Sequence, residues 1–540
     1  MARQLNAIRS QYSYLTMRPS NTVLLKLAKR AESYDRQHII DSFVDVGPLF
    51  TLLSNPDNQI LFGRRGTGKT HVLGYLTSEI QKRGALAIQM DMRTIGSTGG
   101  IYSDPALTVA ERATRLLVDV LAAIHDRVLS ETLVHAEEYD LSVLGPLLDN
   151  FIDASSNVVV EGTVETVDGN ASMHSSVAAD KIDLSAVLIE VKASIGLSSE
   201  AKAQSSQDRK VTRAGSERLR VRFGPVGREF ECLVQALPKG QLWLVLDEWS
   251  EIPLDLQPYL ADLLRRTVLP VRGVTVKIAA IEQRCNFRIA DPAVGHIGIE
   301  IGADAAASIS LDEFLVFDNN PDLAKRFFRK LLHRHVRALV ATTAELTVPA
   351  SASEFVGTLF SQRPAFEEFV RSAEGVPRDG INIIGIAAQK ALDNAISIPD
   401  VRSAARTWYT RAKQQAVGTK PQAQKLLNWI IDEVIQHRQA RAFLLGVDAN
   451  DDLIDFLYDA RVLHVIRQGV SAQDFPGRRF NVYALDYGCY VDLINTSRAP
   501  HGLFEVDIEG RAGFVDVPHT DFRSIRRAIL DLAPFYTSAA

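Results

Sequence analysis

Residues 63–70 read Gly63-Arg64-Arg65-Gly66-Thr67-Gly68-Lys69-Thr70 and fit the phosphate-loop pattern G-x-x-x-x-G-K-[ST] at every fixed position. The glycines let the backbone curl so that successive N–H groups point at phosphate oxygens. Lys69 can then reach the β- and γ-phosphates, and the Thr70 hydroxyl can hold a magnesium ion. This octapeptide predicts a site for ATP and Mg²⁺.

The residues on either side of the octapeptide support this interpretation. Residues 59–62 (Gln-Ile-Leu-Phe) have the composition of a short buried strand, and a helical pattern opens at His71. Strand, glycine-rich loop and helix is the order that the chemistry requires, because the phosphates bind at the helix N-terminus. We therefore include His71 with residues 63–70 among the candidate nucleotide-binding residues.

Bulk composition excludes several classes of protein. The 540 residues carry a net charge of −5, so any contact with DNA must come from a local basic patch. Three cysteines, Cys232, Cys285 and Cys489, lie far apart without metal-ligand spacing, which predicts a reducing cytoplasm and no zinc. No apolar run approaches the length of a membrane span, and residues 1–6 lack the apolar stretch of a signal peptide.

An apolar run that ends in two acids is the second chemical signal. Residues 241–248 (Gln-Leu-Trp-Leu-Val-Leu-Asp-Glu) predict a buried parallel strand with carboxylates at its C-terminal edge. Asp247 would hold Mg²⁺, directly or through water. Glu248 would orient and activate the attacking water.

A further strand is predicted over residues 274–281, and it ends in Glu282-Gln283-Arg284. In a doubly wound sheet this end lies near the γ-phosphate, so Gln283 or Glu282 could sense that phosphate or the water. A solvated strand end is the alternative. Residues 85–90 predict another buried strand, and residues 105–130 a helix with one broad apolar face.

The remaining segments define the expected organisation of the chain. Residues 1–40 form a helical lead-in to a nucleotide-binding core at 41–320. The apolar stretch 43–50 packs either on the nucleotide base or in the core. Residues 141–222, rich in Ser, Val, Ala and Gly, predict an insertion of β-hairpins, with a mobile loop at 199–215.

The C-terminal half is predicted to be a helical lid at 321–418 and a winged-helix-like domain at 419–540. Pro377 suits the first turn of a helix, which would place Arg378 at its N-terminal end. In the last block, helices over 423–437 and 451–461 precede two alternating segments, 462–466 and 480–485, that read as paired strands. Such a domain binds either DNA phosphates or a protein. Six arginines favour DNA binding: Arg438, Arg441, Arg461, Arg467, Arg478 and Arg479. Five acidic residues argue against it: Asp448, Asp451, Asp452, Asp455 and Asp459.

Together these motifs resemble the AAA+ P-loop ATPases of the initiator clade, the group of the origin-recognition-complex proteins. The resemblance rests on residues 63–70, the acidic pair, the strand ending near Gln283, and Gly375-Val376-Pro377-Arg378, which is similar to the sensor-2 motif. It implies an α/β fold with a parallel-sheet core, a helical lid, a β-rich insertion and a C-terminal winged helix. It also implies a phosphate-contacting role for Arg378, alongside catalytic roles for Lys69, Glu248 and Gln283.

Two departures from the family pattern stand out. The strand before position 283 ends in Glu-Gln where the clade usually has Asn. No clear arginine finger precedes residues 309–312, and Arg265, Arg266, Arg284 and Arg288 are the substitutes.

The functional expectation is a slowly hydrolysing, oligomeric ATPase that assembles on double-stranded DNA. The alternative is a bacterial antiviral-defence or signalling ATPase whose insertion senses a ligand and whose tail recruits a partner protein. A metabolic kinase is disfavoured, because nothing resembles an acceptor site.

Overall fold

The fold is described from a computed structural model that covers these residues: 17–45, 47–95, 100–155, 158–161, 164–166, 211–213, 216–219, 221–291, 295–312, 320–341, 346–438, 440–449, 451–471, 477–492, 505–508, 511–514 and 529–539. Most of the loop expected at 199–215 and residues 1–16 of the lead-in lie outside them.

The first third of the described chain alternates helices and strands. Its elements are α1 (Pro19–Leu25), α2 (Arg36–Ser42), α3 (Leu49–Leu53), β1 (Gln59–Phe62), α4 (Lys69–Lys82), β2 (Leu86–Asp91), α5 (Val109–Val134) and α6 (Leu141–Ser155). Short antiparallel strands follow: β3 (Val158–Glu161), β4 (Val164–Thr166), β5 (Val211–Arg213) and β6 (Ser216–Leu219).

The middle of the chain returns to alternating helices and strands. It contains α7 (Phe223–Ala236), β7 (Leu242–Asp247), α8 (Gln257–Leu263), β8 (Val274–Ala280), β9 (Arg288–Asp291), β10 (Gly295–Gly298) and β11 (Ala306–Ser310). Helices then dominate, with α9 (Pro321–Val340), α10 (Ala352–Leu359), α11 (Arg363–Ser372), α12 (Pro377–Ala391), α13 (Ile398–Trp408) and α14 (Gln415–Gly418).

The last part mixes both element types. It comprises α15 (Pro421–Ile430), β12 (Ala442–Gly446), α16 (Asp452–Asp459), β13 (Leu463–Ser471), β14 (Arg479–Leu485), α17 (Tyr487–Tyr490), β15 (Glu505–Ile508), β16 (Arg511–Phe514) and α18 (Ala533–Ala539). No helix among the described residues is long and apolar enough to cross a membrane.

A five-stranded parallel sheet in the order β11-β1-β8-β7-β2 forms the centre of the core. Alternate residues of each strand face opposite sides, as the pleat requires. Leu61 and Val245 pack with α4 and the lid helices, whereas Ile60 and Leu244 pack with α5, α6 and α7. All five strands point the same way, so β1, β7 and β8 deliver their carboxyl ends to one edge of the sheet. The α/β fold class is confirmed.

The start of the expected insertion is not β-rich. Residues 141–155 form α6, whose Leu144, Leu148 and Phe151 are buried against the core. The apolar spacing of these residues is helical, and the serine- and valine-rich composition begins only after them. Antiparallel pairs β3–β6 and β4–β5 then provide the expected hairpin strands.

The C-terminal region, defined here as residues 421–492, contains an antiparallel sheet in the order β12-β14-β13. The predicted strands 462–466 and 480–485 are the paired β13 and β14. A single helix, α16, lies between β12 and β13 in the described chain. The winged-helix assignment of this region stays a prediction.

Candidate nucleotide site

The phosphate loop connects β1 to α4 in the geometry that its sequence predicts. Gly66 and Gly68 adopt φ values of +89° and +98°, which side-chain-bearing residues rarely adopt. A Cβ on Gly66 would lie 2.9 Å from Cβ of Arg378. The backbone N–H of Arg378 donates to the Gly66 carbonyl at 3.1 Å. A side chain at position 66 would therefore separate the loop from α12.

Lys69 lies under the loop and is 6% exposed. Its Nζ donates to the carbonyls of Gly63 at 2.6 Å and Arg64 at 3.1 Å. Burial lowers the pKa of Lys69, and the carboxylates of Glu248 and Asp247 oppose that shift. The ammonium is therefore held among negative groups at the N-terminus of α4, where the phosphates of a nucleotide would add further negative charge.

The acidic pair lies at the carboxyl end of β7, beside the loop. Asp247 is 3% exposed, and burial raises its pKa to about 6, although the hydrogen bond from the Thr70 hydroxyl acts in the opposite direction. Glu248 follows in a left-handed conformation with φ of 56°. This backbone turn directs Glu248 into the cavity above the loop, which it lines, whereas Asp247 does not.

The cavity has a volume of about 300 Å³ and runs from the phosphate loop to α2 and α9. Its loop end is lined by residues 65–71, Glu248, Glu251, Pro377 and Arg378. Three separate stretches of sequence therefore meet there, and they include most of the predicted site residues. The charge of Arg378 is close enough to lower the pKa of Lys69. Arg378 therefore lies next to both Lys69 and the phosphate loop, where a residue that contacts phosphate is required.

Gln283 is a predicted catalytic residue that does not line this cavity. It lies in a short helix, Glu282–Arg284, directly after β8. Its Oε1 is buried without a hydrogen-bond partner in the described residues. The residue before this helix is bonded to the segment that follows the acidic pair, because the Ile281 N–H donates to the Ser250 hydroxyl at 2.7 Å. A sensing role for Gln283 stays a prediction.

Sequence reasoning missed Arg93. It lies two residues past β2, which pairs in parallel with β7 so that Asp91 is opposite Asp247. Its Nη1 is 4.0 Å from Oε1 of Glu248, and it also forms an ion pair with Asp91. The signal was available, since a second strand end with polar residues belongs at the same sheet edge.

The far end of the cavity is aromatic. It is lined by Tyr34, Phe43, Phe327 and His335, among others. Phe43 is stacked on Tyr75 with ring centroids 3.9 Å apart. Of the apolar stretch 43–50, Phe43 and Val44 line the cavity, whereas Leu49 is fully buried in the core. The core alternative therefore holds for Leu49, and packing of Phe43 and Val44 on a nucleotide base stays a prediction. This end has the dimensions and surface that suit a nucleotide base.

His335 makes the stability of the nucleotide-free protein dependent on pH. Burial, together with the nearby His71 and His38, lowers the pKa of His335 to about 3. Below about pH 6.5 this histidine is protonated in the unfolded chain but stays neutral in the folded protein. The free energy of unfolding therefore decreases as the pH is lowered from about 6.5 toward 3. We expect His335 to account for about 2 kcal/mol of lost stability between pH 7 and pH 5.

Denaturant midpoints of the wild type and of His335→Gln at pH 7 and pH 5 measure this effect. The loss on acidification should be smaller in the variant. His437→Gln is the control, because the His437 side chain is 66% exposed. Equal losses in His335→Gln and the wild type would contradict the assignment.

Comparison with known proteins supports the motif-based resemblance. Residues 27–99 match the family model described as ORC-CDC6-like. The match contains the phosphate loop and ends before the acidic pair, and it confirms the predicted recognition over this segment. No curated protein shows significant similarity to the chain. Among solved structures, the chain is similar to that of the Aeropyrum pernix ORC1 protein in complex with DNA, at 14% identity and a TM-score of 0.31, over 84% of this chain and 93% of that one.

Proposed function

We propose that the protein is an initiator-type ATPase, an ATP-binding and ATP-hydrolysing switch that assembles on DNA through its C-terminal region. One observation carries the ATPase part of this proposal. The phosphate loop, Glu248 and Arg378 come from distant parts of the sequence and line one cavity that extends to an aromatic end. The family match over residues 27–99 supports the same conclusion.

The residues present fit Mg²⁺ and a nucleoside triphosphate. The Thr70 hydroxyl and the Asp247 carboxylate are hydrogen-bonded to one another, and hard oxygen ligands of this kind suit Mg²⁺. Gly66 and Gly68 have positive φ values, a conformation that lets the N–H groups of a phosphate loop turn toward phosphate oxygens. A bound Mg²⁺ would neutralise charge that develops on the phosphates.

Within this site each side chain has a distinct task. Lys69, at the N-terminus of α4, and Arg378, at the N-terminus of α12, bind phosphate oxygens. Glu248 orients a water and accepts its proton as the water oxygen attacks the γ-phosphorus and the bond to the β–γ bridging oxygen breaks. Arg93, 4.0 Å from Glu248, holds that carboxylate in place. Gln283 senses the water or the γ-phosphate from the neighbouring strand end.

DNA contact is assigned to the β13–β14 hairpin of the C-terminal region. Arg467, Arg478 and Arg479 are exposed there. Arg461, which the sequence analysis grouped with them, is excluded because it forms an ion pair with buried Asp379 at 2.5 Å. The hairpin retains enough positive charge to bind several phosphates in a salt-dependent manner.

None of the four arginine-finger candidates from the sequence is an obvious residue to enter the nucleotide site of a neighbouring subunit. Arg265 and Arg266 both pair with Asp262, Arg284 pairs with Asp459, and Arg288 pairs with Glu300. Homo-oligomerisation is therefore proposed from the resemblance alone, and a finger would require one of these pairs to open. Slow turnover by the isolated chain is consistent with that arrangement.

A partner-recruiting defence or signalling ATPase is the second candidate. The observation in its favour is the acidic surface of α16 and of the loop before it, where Asp448 and Asp452 are exposed. Acids at this place repel a phosphate backbone and suit a basic protein partner.

Fluorescence anisotropy of a labelled DNA duplex distinguishes the two candidates. We expect the Glu248→Gln protein to bind DNA more tightly with ATP than with ADP. Its affinity for DNA should fall steeply as the salt concentration is raised. Replacing both Arg478 and Arg479 by alanine should reduce the slope of log affinity against log salt by about two, since each lost phosphate contact removes about 0.9.

Arg363→Ala is the control for this experiment, because its side chain lies on α11 and is 82% exposed. Absence of DNA binding in both nucleotide states would move the assignment to the partner-recruiting ATPase.

A further inference from the structure

The C-terminal region contacts the nucleotide site itself. Its residues touch the phosphate loop, the N-terminal turn of α12 and the short helix 282–284. These are the three elements to which nucleotide binding and sensing are assigned. Nothing in the local sequence connects them, because the contacts span up to 400 positions.

The contact with the phosphate loop is made through Arg64, which is 1% exposed. Its backbone N–H and Nε donate to the carboxylate of Asp312 at 2.9 and 2.7 Å. Its Nη1 donates to Nδ1 of His464, and the Tyr458 hydroxyl donates to Asp312 at 3.2 Å. Since Nδ1 of His464 accepts, its Nε2 carries the proton and donates to Asp486 at 2.9 Å. The loop is thus anchored to α16 and β13.

The contact with the lid is made through Asp379, which follows the predicted phosphate-contacting Arg378. Asp379 is fully buried and accepts from Arg461 at 2.5 Å. It also pairs with Nζ of Lys413 at 2.9 Å, and Lys413 pairs in turn with Asp486. Asp486 therefore links the lid contact to the loop contact through His464 and Lys413.

The contact with the short helix 282–284 is made through Asp459, the last residue of α16. Its carboxylate lies 3.2 Å from Nη1 of Arg284 and 3.9 Å from Nε of Arg65 in the phosphate loop. Gln468 donates to Glu282 at 3.3 Å. Both residues that flank Gln283 therefore have partners in the C-terminal region.

These contacts are interdependent because most of the charges are buried. Arg64, Asp312, Asp379, Lys413 and Asp486 are each less than 7% exposed. Separating one partner leaves an uncompensated buried charge, which is far more costly than breaking a surface ion pair. The loop, the N-terminus of α12 and the C-terminal region therefore change position together or hardly at all.

We propose that the C-terminal region docks on the elements that form the nucleotide site, outside the cavity itself, with α16 bound to the core rather than to DNA and Arg64 acting as the positioning residue. This inference rests on the proposed ATPase function. It makes docking and nucleotide binding reciprocal, so that a change that loosens one loosens the other. It also leaves the β13–β14 hairpin, and not α16, to contact any duplex.

Charge reversal at one end of α16 tests the proposal. In Asp459→Lys the new cation faces Arg284 and Arg65, and a lysine at the C-terminus of a helix does not weaken the helix. We expect a fluorescent ADP analogue to dissociate about tenfold faster than from the wild type, a typical coupling between linked sites. Tyr458→Phe, which removes only the hydrogen bond to Asp312, should accelerate release to a smaller extent.

Asp452→Lys is the matched control, because Asp452 lies on the same helix, is exposed and carries the same charge. Its release rate should equal that of the wild type. Hydrogen exchange of peptides from 452–471 should slow when ATP and Mg²⁺ bind the wild type.

The outcomes separate the two proposals. Docking would be overturned if the Asp459→Lys and Tyr458→Phe variants melted like the wild type and released nucleotide at its rate, and if exchange in the wild-type peptides did not respond to ATP and Mg²⁺. A wild-type protein that binds no nucleotide would instead refute the proposed function.

Discussion

Replacing Lys69 with alanine is expected to weaken the binding of ATP and ADP by a factor on the order of 10²–10³, because two charge-assisted hydrogen bonds to phosphate oxygens are lost. Lys69 is the cation nearest the loop carbonyls, and its Nζ lies 2.6 Å from the Gly63 carbonyl oxygen. Titration of each protein with a fluorescent ATP analogue measures the change in affinity.

Unfolding of the Lys69→Ala protein is not expected to be the cause of its weaker nucleotide binding. Burial already opposes the charge of Lys69, so its removal relieves a desolvation cost while it leaves a small cavity. Lys82→Ala, at the other end of α4, removes a lysine whose side chain is 54% exposed and should bind nucleotide normally. Wild-type affinity in a folded Lys69→Ala protein would show that this loop is not the phosphate site.

The nucleotide-binding core was predictable because its signals are local. Residues 60–62 and 242–246 are continuous apolar runs, and both lie in buried strands of the parallel sheet. Parallel pairing then determines which strand ends meet, so Glu248 could be placed beside the phosphate loop from the sequence alone.

Other features depend on distant contacts that no pattern encodes. Arg64 occupies a variable position of the phosphate-loop pattern, and only the fold shows that Asp312 and His464 surround it. In the sequence, His335 lies on the apolar face of α9 like an ordinary core residue. Only the structure shows that it lines the cavity close to Tyr34. Arg461 reads as a DNA-binding residue until Asp379 is found beside it.

Replacing Glu248 with glutamine is expected to leave ATP binding intact and to slow hydrolysis by about 10²–10³, the usual contribution of a positioned general base. Glutamine keeps the shape of the side chain and its reach into the cavity, but it cannot accept the proton of the attacking water. The left-handed backbone at position 248 already orients the side chain, so the substitution should change chemistry and not geometry. Phosphate release under single-turnover conditions measures the rate, and nucleotide titration measures the affinity.

The position of Arg93 sharpens this expectation. Arg93 lies 4.0 Å from the Glu248 carboxylate and is also paired with Asp91. Loss of the negative charge at position 248 removes its repulsion of the γ-phosphate and leaves that arginine in place, so ATP should be held at least as tightly as by the wild type. Glu231→Gln, on exposed surface of α7, is the matched control and should hydrolyse ATP at the wild-type rate. If Glu248→Gln also did so, the water would have to be activated by another group at the same sheet edge. Glu251, which lines the cavity and pairs with Arg65 at 2.6 Å, would then be the residue to replace next.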